Sequence, residues 1–268
     1  MKHRRNHIQH RIKTLKPKKL VIQRPVFWII ASAIFFSLTA FYFLFFFPGF
    51  QISAITVSGN QNINGNIIES AARQDIQKHF FGFSYKTIFM VNPDALKKNL
   101  LSEFPQIDDI NVQKQWPQSL SLKITERVPV ADFCPNQDIN DCFEIDKNGV
   151  IYQRAQDGAH NDFVIRKDVN KQEIGIGNHM VDKNLIDDIL RIRENLGTLQ
   201  KIGIKEVMIS NPLIVATDEG WQIYFNPAGD MDLQITKMNA LLQEGILATD
   251  RKNLQYIYLQ YKDRAYYK

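Results

Sequence analysis

The residues that could do chemistry are scattered along this chain. His79, His160 and His179 sit in separate segments, with no HExxH and no second histidine at ligand spacing beside any of them. Nucleophilic catalysis by serine would call for GxSxG or SxxK, and neither occurs. GIGNHM at 175–180 has two glycines, but no third glycine opens a helix after them, so it reads as a loop and not as a phosphate cradle. The adjacent carboxylates Asp108-Asp109 and Asp187-Asp188 fall at a strand start and on a helix surface, where solvated faces explain them. Glu126-Arg127 closes an alternating strand, so its two side chains point to opposite faces and cannot work on one substrate atom. The expectation is a protein that is not an enzyme and carries no cofactor and no metal.

Two cysteines remain, Cys134 and Cys142, with the turn-rich PNQDIND between them. A disulfide across a short hairpin fits this spacing, and free thiols are the alternative. A metal site would need more ligands than two thiols, and the loop holds no histidine.

The elements that must position these residues begin with a hydrophobic run. Residues 26–47, VFWIIASAIFFSLTAFYFLFFF, contain no charge, proline or glycine. At the helical rise that length spans about 33 Å, enough for a bilayer core of about 30 Å. It exceeds the apolar core of a cleaved signal peptide and has no small-x-small site after it, so it reads as an uncleaved signal anchor. The preceding residues 1–25 carry nine Lys/Arg and no acidic residue. The whole chain is +5, which leaves −4 for the remainder, the pattern of a cytoplasmic tail with the rest outside. Attraction to lipid headgroups accounts for the basic tail without a nucleic-acid partner.

Two blocks follow, 50–128 and 129–268. In the first, FQISAITVSGN reads as a strand ending in a Gly-Asn turn. Ile67, Ile68, Ala71, Ala72 and Ile76 recur at helical spacing, in a helix expected to end near Gly82. Asn92-Pro93 caps a second helix with Leu96, Leu100, Leu101 and Phe104 inward, stopped by Pro105. Ile110 and Val112 alternate up to the Trp116-Pro117 turn, and Leu120, Leu122 and Ile124 alternate after it. The order is βααββ: a small α+β unit with two helices on one face of a three-stranded sheet.

The second block is strand-rich with two helices. CFEIDKNGVIYQ is a hairpin with its turn at Asp-Lys-Asn-Gly. A helix over 184–199 carries Leu185, Ile189, Ile192 and Leu196 on one stripe, with Asp187 and Arg191 as an i,i+4 pair outside. LIVATDEGWQIYFN is a second hairpin, and a helix after Asp232 turns Ile235, Met238, Leu241 and Leu242 inward. LQYIYLQYKDRAYYK is apolar on both faces and rich in tyrosine, a residue favoured at interfaces. Pro129 and Pro135 are expected to limit regular pairing between the blocks, which makes the ER pair a domain joint.

ITVSGN at 55–60, NPDALKKNLLSEFPQIDDINVQKQWPQSLSLKITERVPVA at 92–131 and the DKNG turn at 146–149 together resemble the POTRA domain of the FtsQ/DivIB bacterial cell-division proteins. GWQIYFNPAGDMDLQITKMNALLQ at 220–243 and LQYIYLQY at 254–261 are similar to that family's late hairpin, helix and last strand. The resemblance implies a single-pass protein of the cytoplasmic (inner) membrane at the division septum, with its N-terminus in the cytoplasm. It would be a scaffold that holds partners of the FtsB/FtsL type and, through them, the septal peptidoglycan synthase. In the family the C-terminal strand binds a partner by strand addition, which points to Tyr258, Gln260, Tyr261 and Tyr266 here. Family members often read Ile-Asp-Leu-Arg where this chain has Ile257-Tyr258-Leu259-Gln260, so those contacts are expected to be rewired. The competing classes are a membrane-anchored cell-wall hydrolase, which would need a site assembled from dispersed residues, and a POTRA chaperone of outer-membrane assembly, which would need a C-terminal barrel.

Overall fold

A computed structural model describes residues 25–80, 83–85, 87–135, 141–155, 163–169, 174–246 and 250–268. The basic segment 1–24, Gly82, loop residues 136–140 and His160 lie outside the described residues. The apolar run forms α1 (Pro25–Phe46), with no residue buried against the rest of the protein. It is the one helix among the described residues that is long and apolar enough to cross a membrane.

After a 3-10 turn at Pro48–Phe50 come β1 (Ala54–Ser58) and α2 (Gly65–Ile76). Asn64 starts α2 by accepting a hydrogen bond from the Asn66 N–H. The helix stops at Ile76, short of Gly82, and the aromatic-rich segment beyond it forms a small antiparallel pair, β2 (Lys78–Phe80) and β3 (Phe83–Tyr85). α3 (Pro93–Glu103) has Asn92 as its cap, accepting from the N–H groups of Asp94 and Ala95, with Pro93 in the first turn. β4 (Ile107–Gln115) and β5 (Ser119–Glu126) pair antiparallel, and β1 adds to β5 in parallel, giving the order β1-β5-β4. Ile55, Ile68, Ala72, Leu96, Leu100, Ile110, Leu120 and Leu122 fill the core between helices and sheet. Gly59 sits at φ +86°, and a Cβ there would lie 2.3 Å from the Ile124 carbonyl oxygen, which is why ITVSGN needs glycine.

The second sheet has nine strands. They are β6 (Pro129–Pro135), β7 (Phe143–Asp146), β8 (Ile151–Arg154), β9 (Val164–Lys167), β10 (Ile204–Ile209), β11 (Leu213–Thr217), β12 (Gln222–Phe225), β13 (Tyr256–Tyr258) and β14 (Tyr266–Tyr267), in the order β14-β13-β12-β11-β10-β9-β6-β7-β8. α4 (Lys183–Asn195) lies between β9 and β10 in sequence, and α5 (Met231–Ala240) between β12 and β13. As the sequence suggests, the prolines bound the strand between them, with a register irregularity at Pro129, and β5 and β6 belong to different sheets. They occupy the first and last positions of β6, and the strand runs inside the sheet between β7 and β9. A missing N–H is tolerated at a strand end.

Strand register sorts the sheet into two faces. Phe143, Phe133, Ile165, Val207, Val215, Ile223 and Ile257 lie in one row across seven strands. All are buried in one core with Ile186, Ile189 and Ile192 of α4 and Ile235 and Met238 of α5. In α4, Ile186 is buried and Leu185 only packs at the margin, one position away from the expected stripe. Arg191 bonds not to Asp187 but to Asp188, at 3.2 Å, and to Asp232 of α5, so it ties the two helices together.

Candidate interaction surface

The joint between the two sheets is built from the ER pair. The Glu126 carboxylate accepts backbone N–H groups of Gln61 (2.7 Å), Asn62 (2.9 Å) and Ile63 (3.0 Å), clasping the turn that leads into α2. Burial alone would raise this carboxyl, but the backbone donors Ile63, Asn62 and Gln61 outweigh it and hold Glu126 below its ordinary range. Arg127 points the other way. Its guanidinium donates to the Pro105 carbonyl (3.0 Å), to Asp108 (3.2 Å) and to Asp146, and Asp146 is 2% exposed at the DKNG turn. Asp146 in turn accepts the N–H groups of Asn148 and Val150, both at 2.9 Å. A cleft of about 760 Å³ opens beside this joint, lined by residues that include Glu126, Arg127, Glu144 and Tyr152. Two of its polar groups are engaged with each other: Tyr152 donates to Glu144 (2.6 Å), and burial, followed by that hydrogen bond and the Glu144 charge, pushes the phenol well up. The Arg127–Asp146 bond positions one unit on the other.

The remaining candidate chemical groups are distributed. Asp108 serves Arg127, and Asp109 pairs with Lys97. Burial raises the Asp188 carboxyl, and Arg191 works against that rise. His79 falls in β2, while His179 sits in a bridge to Val150 with Nδ1 3.3 Å from the Asn148 carbonyl. GIGNHM is a loop that hydrogen-bonds to Ile151 of β8 through Gly177 and Asn178, partly covering that edge. Among the described residues, no three His, Cys, Asp or Glu side chains gather in a metal-holding arrangement. Cys134 and Cys142 are joined as a disulfide, with Cα atoms 4.3 Å apart, at the tip of the β6–β7 hairpin.

The tyrosine-rich end of the nine-stranded sheet is organised differently. β13 adds to β12 in parallel, with Tyr224 opposite Tyr258, and β14 closes over β13 with Tyr266 opposite Tyr258. Ile257 and Leu259 are fully buried, which turns Tyr256 and Tyr258 to the other face. The rings of Tyr224 and Tyr258 lie 4.5 Å apart, those of Tyr256 and Tyr258 4.7 Å, and those of Tyr261 and Tyr266 5.5 Å. Burial, and then the neighbouring Tyr258, raise the Tyr224 phenol. Lys237 of α5 donates to the carbonyls of Leu259 and Tyr261, fixing the exit of β13.

Of the four residues singled out from sequence, the structure brings Tyr258, Tyr261 and Tyr266 into one patch; Gln260 stands between Leu259 and Tyr261 in the exit, partly buried. The strand of Tyr258 is not the sheet edge. β14 is, and Lys268 exchanges backbone bonds with Tyr256, so the alternation of an antiparallel pair directs the Tyr267 N–H and C=O to the open side. The register also extends the patch beyond the last strand. Tyr266, Tyr258, Tyr224, Ile214 and Met208 form one row across five strands on the face opposite the helices, and Met208 is 39% exposed. Tyr224, Ile214 and Met208 were not found by sequence reasoning. The alternation in GWQIYFN, with Ile223 and Phe225 inward, carried the signal for Tyr224.

Residues 50–127 match the family profile described as POTRA domain, FtsQ-type. The chain is also 27% identical over 81 residues to the cell division protein FtsQ of Streptomyces venezuelae, covering 30% of this chain and 27% of that protein. To FtsQ of Streptomyces griseus it is 42% identical over 40 residues, 15% of this chain and 19% of that protein. These matches support an FtsQ/DivIB family protein. The matches span about a quarter or less of these relatives' own length. The FtsQ-type POTRA domain is the βααββ unit of α2, α3, β1, β4 and β5, and the tyrosine patch lies outside the matched residues.

Proposed function

We propose that this chain acts in bacterial cell division as a non-enzymatic scaffold. α1 anchors it in the cytoplasmic membrane with the basic segment in the cytoplasm, and both sheets stand outside at the division septum. Its partners are small bitopic proteins of the FtsB/FtsL type, which couple it to the septal peptidoglycan synthase. The reading is carried by the FtsQ-type POTRA domain in a chain with a membrane-crossing helix. The sheet edge at β14, flanked by tyrosines on one face, supports it, since an open edge beside large amphipathic rings suits strand addition by an extended partner segment. Depletion of the protein tests the role: undivided, filamentous cells are expected, and normal division defeats the reading. Partner binding is tested by co-purification of the intact chain against Tyr261→Ala/Tyr266→Ala, whose side chains are exposed and outside the core. Equal recovery of every partner would remove the tyrosine patch from the proposal.

A further inference from the structure

The end of the POTRA sheet that faces α1 carries an aromatic path of its own. Ring centroids step from Phe43 to Phe47 (4.8 Å), Phe47 to Phe50 (5.8 Å), Phe50 to Phe89 (5.1 Å) and Phe89 to Trp116 (5.0 Å). The path therefore begins inside the membrane-crossing helix and ends on the β4–β5 turn. Its outer members are exposed, Phe47 and Phe89 at 40% and Trp116 at 58%, as is Met90, next to Phe89 in the chain, at 49%. Large apolar side chains left this open in one contiguous patch mark a contact surface.

The last turn of α1 is tied to the same patch. Thr87, 1% exposed, donates its hydroxyl to the Leu44 carbonyl at 3.0 Å, and the Ile88 N–H donates to the Phe50 carbonyl at 2.9 Å. These bonds satisfy carbonyls that a helix end leaves unpaired, and they set the 87–90 turn beside the helix axis. The segments that form the patch, FPGFQIS at 47–53, TIFMV at 87–91 and KQWPQ at 114–118, contain no carboxylate and one lysine, Lys114. No negative charge would need to be desolvated there, and Lys114 suits anionic headgroups.

We infer that Phe47, Phe89, Met90 and Trp116 form a membrane-seating collar, which rests the POTRA domain on the leaflet where α1 emerges. The occupant is the lipid surface itself. Tryptophan is favoured at the headgroup level, where the ring is partly apolar and its N–H stays near water. The seat continues the membrane contact that α1 already makes, and it fixes the direction in which the POTRA unit projects the nine-stranded sheet. The inference rests on α1 crossing the bilayer and not on which side the sheets occupy.

The test uses the full chain with Trp28→Phe, reconstituted in phosphatidylethanolamine–phosphatidylglycerol vesicles with bromine high on the acyl chains. Trp221 is fully buried in the second core and supplies a constant background. Brominated lipid is expected to remove most of the Trp116 emission, aqueous iodide to remove little, and the lipid effect to vanish in Trp28→Phe/Trp116→Phe. An unchanged melting temperature in that second variant shows that the fold is intact. Floating protein with iodide-accessible Trp116 and no lipid quenching overturns the collar while leaving α1 in the bilayer. Shielding from both quenchers overturns it in favour of a protein contact. Failure to float overturns both the collar and the membrane-crossing helix.

Discussion

The Arg127 guanidinium bonds to the Asp146 carboxylate, so the residue that follows the last strand of the POTRA sheet is joined to the DKNG turn of the second sheet by an ion pair whose carboxylate is buried. Asp146 is 2% exposed and Arg127 retains 15% of its side-chain exposure. Truncating one partner of such a pair strands the other charge away from water, at about 3–5 kcal/mol. Arg127→Ala is therefore expected to lower the unfolding free energy of the chain by about that amount, measured by denaturant titration in detergent. Arg127→Met/Asp146→Asn, which removes both charges, should recover much of the loss. A single variant with wild-type stability would show that the joint does not hold the two sheets together.

Glu126 makes the same joint sensitive to acid. Three backbone N–H groups keep its folded-state value below that of the unfolded chain, where a glutamate titrates near about 4.3. A lowered carboxylate contributes stability that is fully present above the unfolded value and is lost as pH falls through the folded one. Wild type should thus lose stability below about pH 5, and Glu126→Gln should flatten that part of the profile. Identical acid slopes for the two proteins, read from melting temperature against pH, would remove Glu126 as the source.

Gly149 and Gly220 offer a paired test of backbone geometry. Both have positive φ, +78° and +95°, but a Cβ on Gly149 would meet the Val181 carbonyl oxygen at 1.9 Å, whereas nothing lies within 4 Å at Gly220. Gly220→Ala is expected to cost about 1–2 kcal/mol from the left-handed conformation alone. Gly149→Ala should cost clearly more, because the 181 backbone must shift as well. Equal melting temperatures for the two variants would contradict this geometry.

The disulfide closes a loop with a sequence separation of 8. Loop-closure entropy for so short a loop amounts to about 2–3 kcal/mol. Cys134→Ser/Cys142→Ser is expected to lose about that much, and reductant should affect only the wild type. A reductant-insensitive wild type would mean that the thiols are not joined.

Much of the fold was legible because periodicity and caps agreed. Leu120, Leu122 and Ile124 alternate, and Asn92-Pro93 starts a helix whose Leu96 and Leu100 are buried. The illegible parts depended on distant partners. Arg127 meets Asp146 across 19 residues, and nothing local distinguishes Asp146 from any turn aspartate. Arg191 prefers Asp188 and Asp232 to Asp187 because α5 packs alongside α4. Pro129 and Pro135 mark the ends of β6, but its interior place in the sheet depends on β7 and β9 pairing on either side. The extension of the tyrosine patch to Ile214 and Met208 exists only in the register of four adjacent strand pairs.

That register separates two ways in which a partner could use the sheet end. Strand addition needs the outward N–H of Tyr267, whereas docking on the open face needs the rings of Tyr258 and Tyr266. Tyr267→Pro removes the outward donor and leaves the Lys268 bond to Tyr256 in place. Tyr266→Ala removes a ring that is 46% exposed and leaves the backbone edge intact. If a partner adds a strand at β14, Tyr267→Pro should weaken binding at least as much as Tyr266→Ala, with each costing about 2 kcal/mol or roughly thirtyfold in Kd. If the open face is the seat, Tyr266→Ala should carry the loss and Tyr267→Pro should bind as wild type. Titration of the reconstituted chain with the purified partner distinguishes the two. Wild-type affinity in both variants would place the partner elsewhere on the molecule.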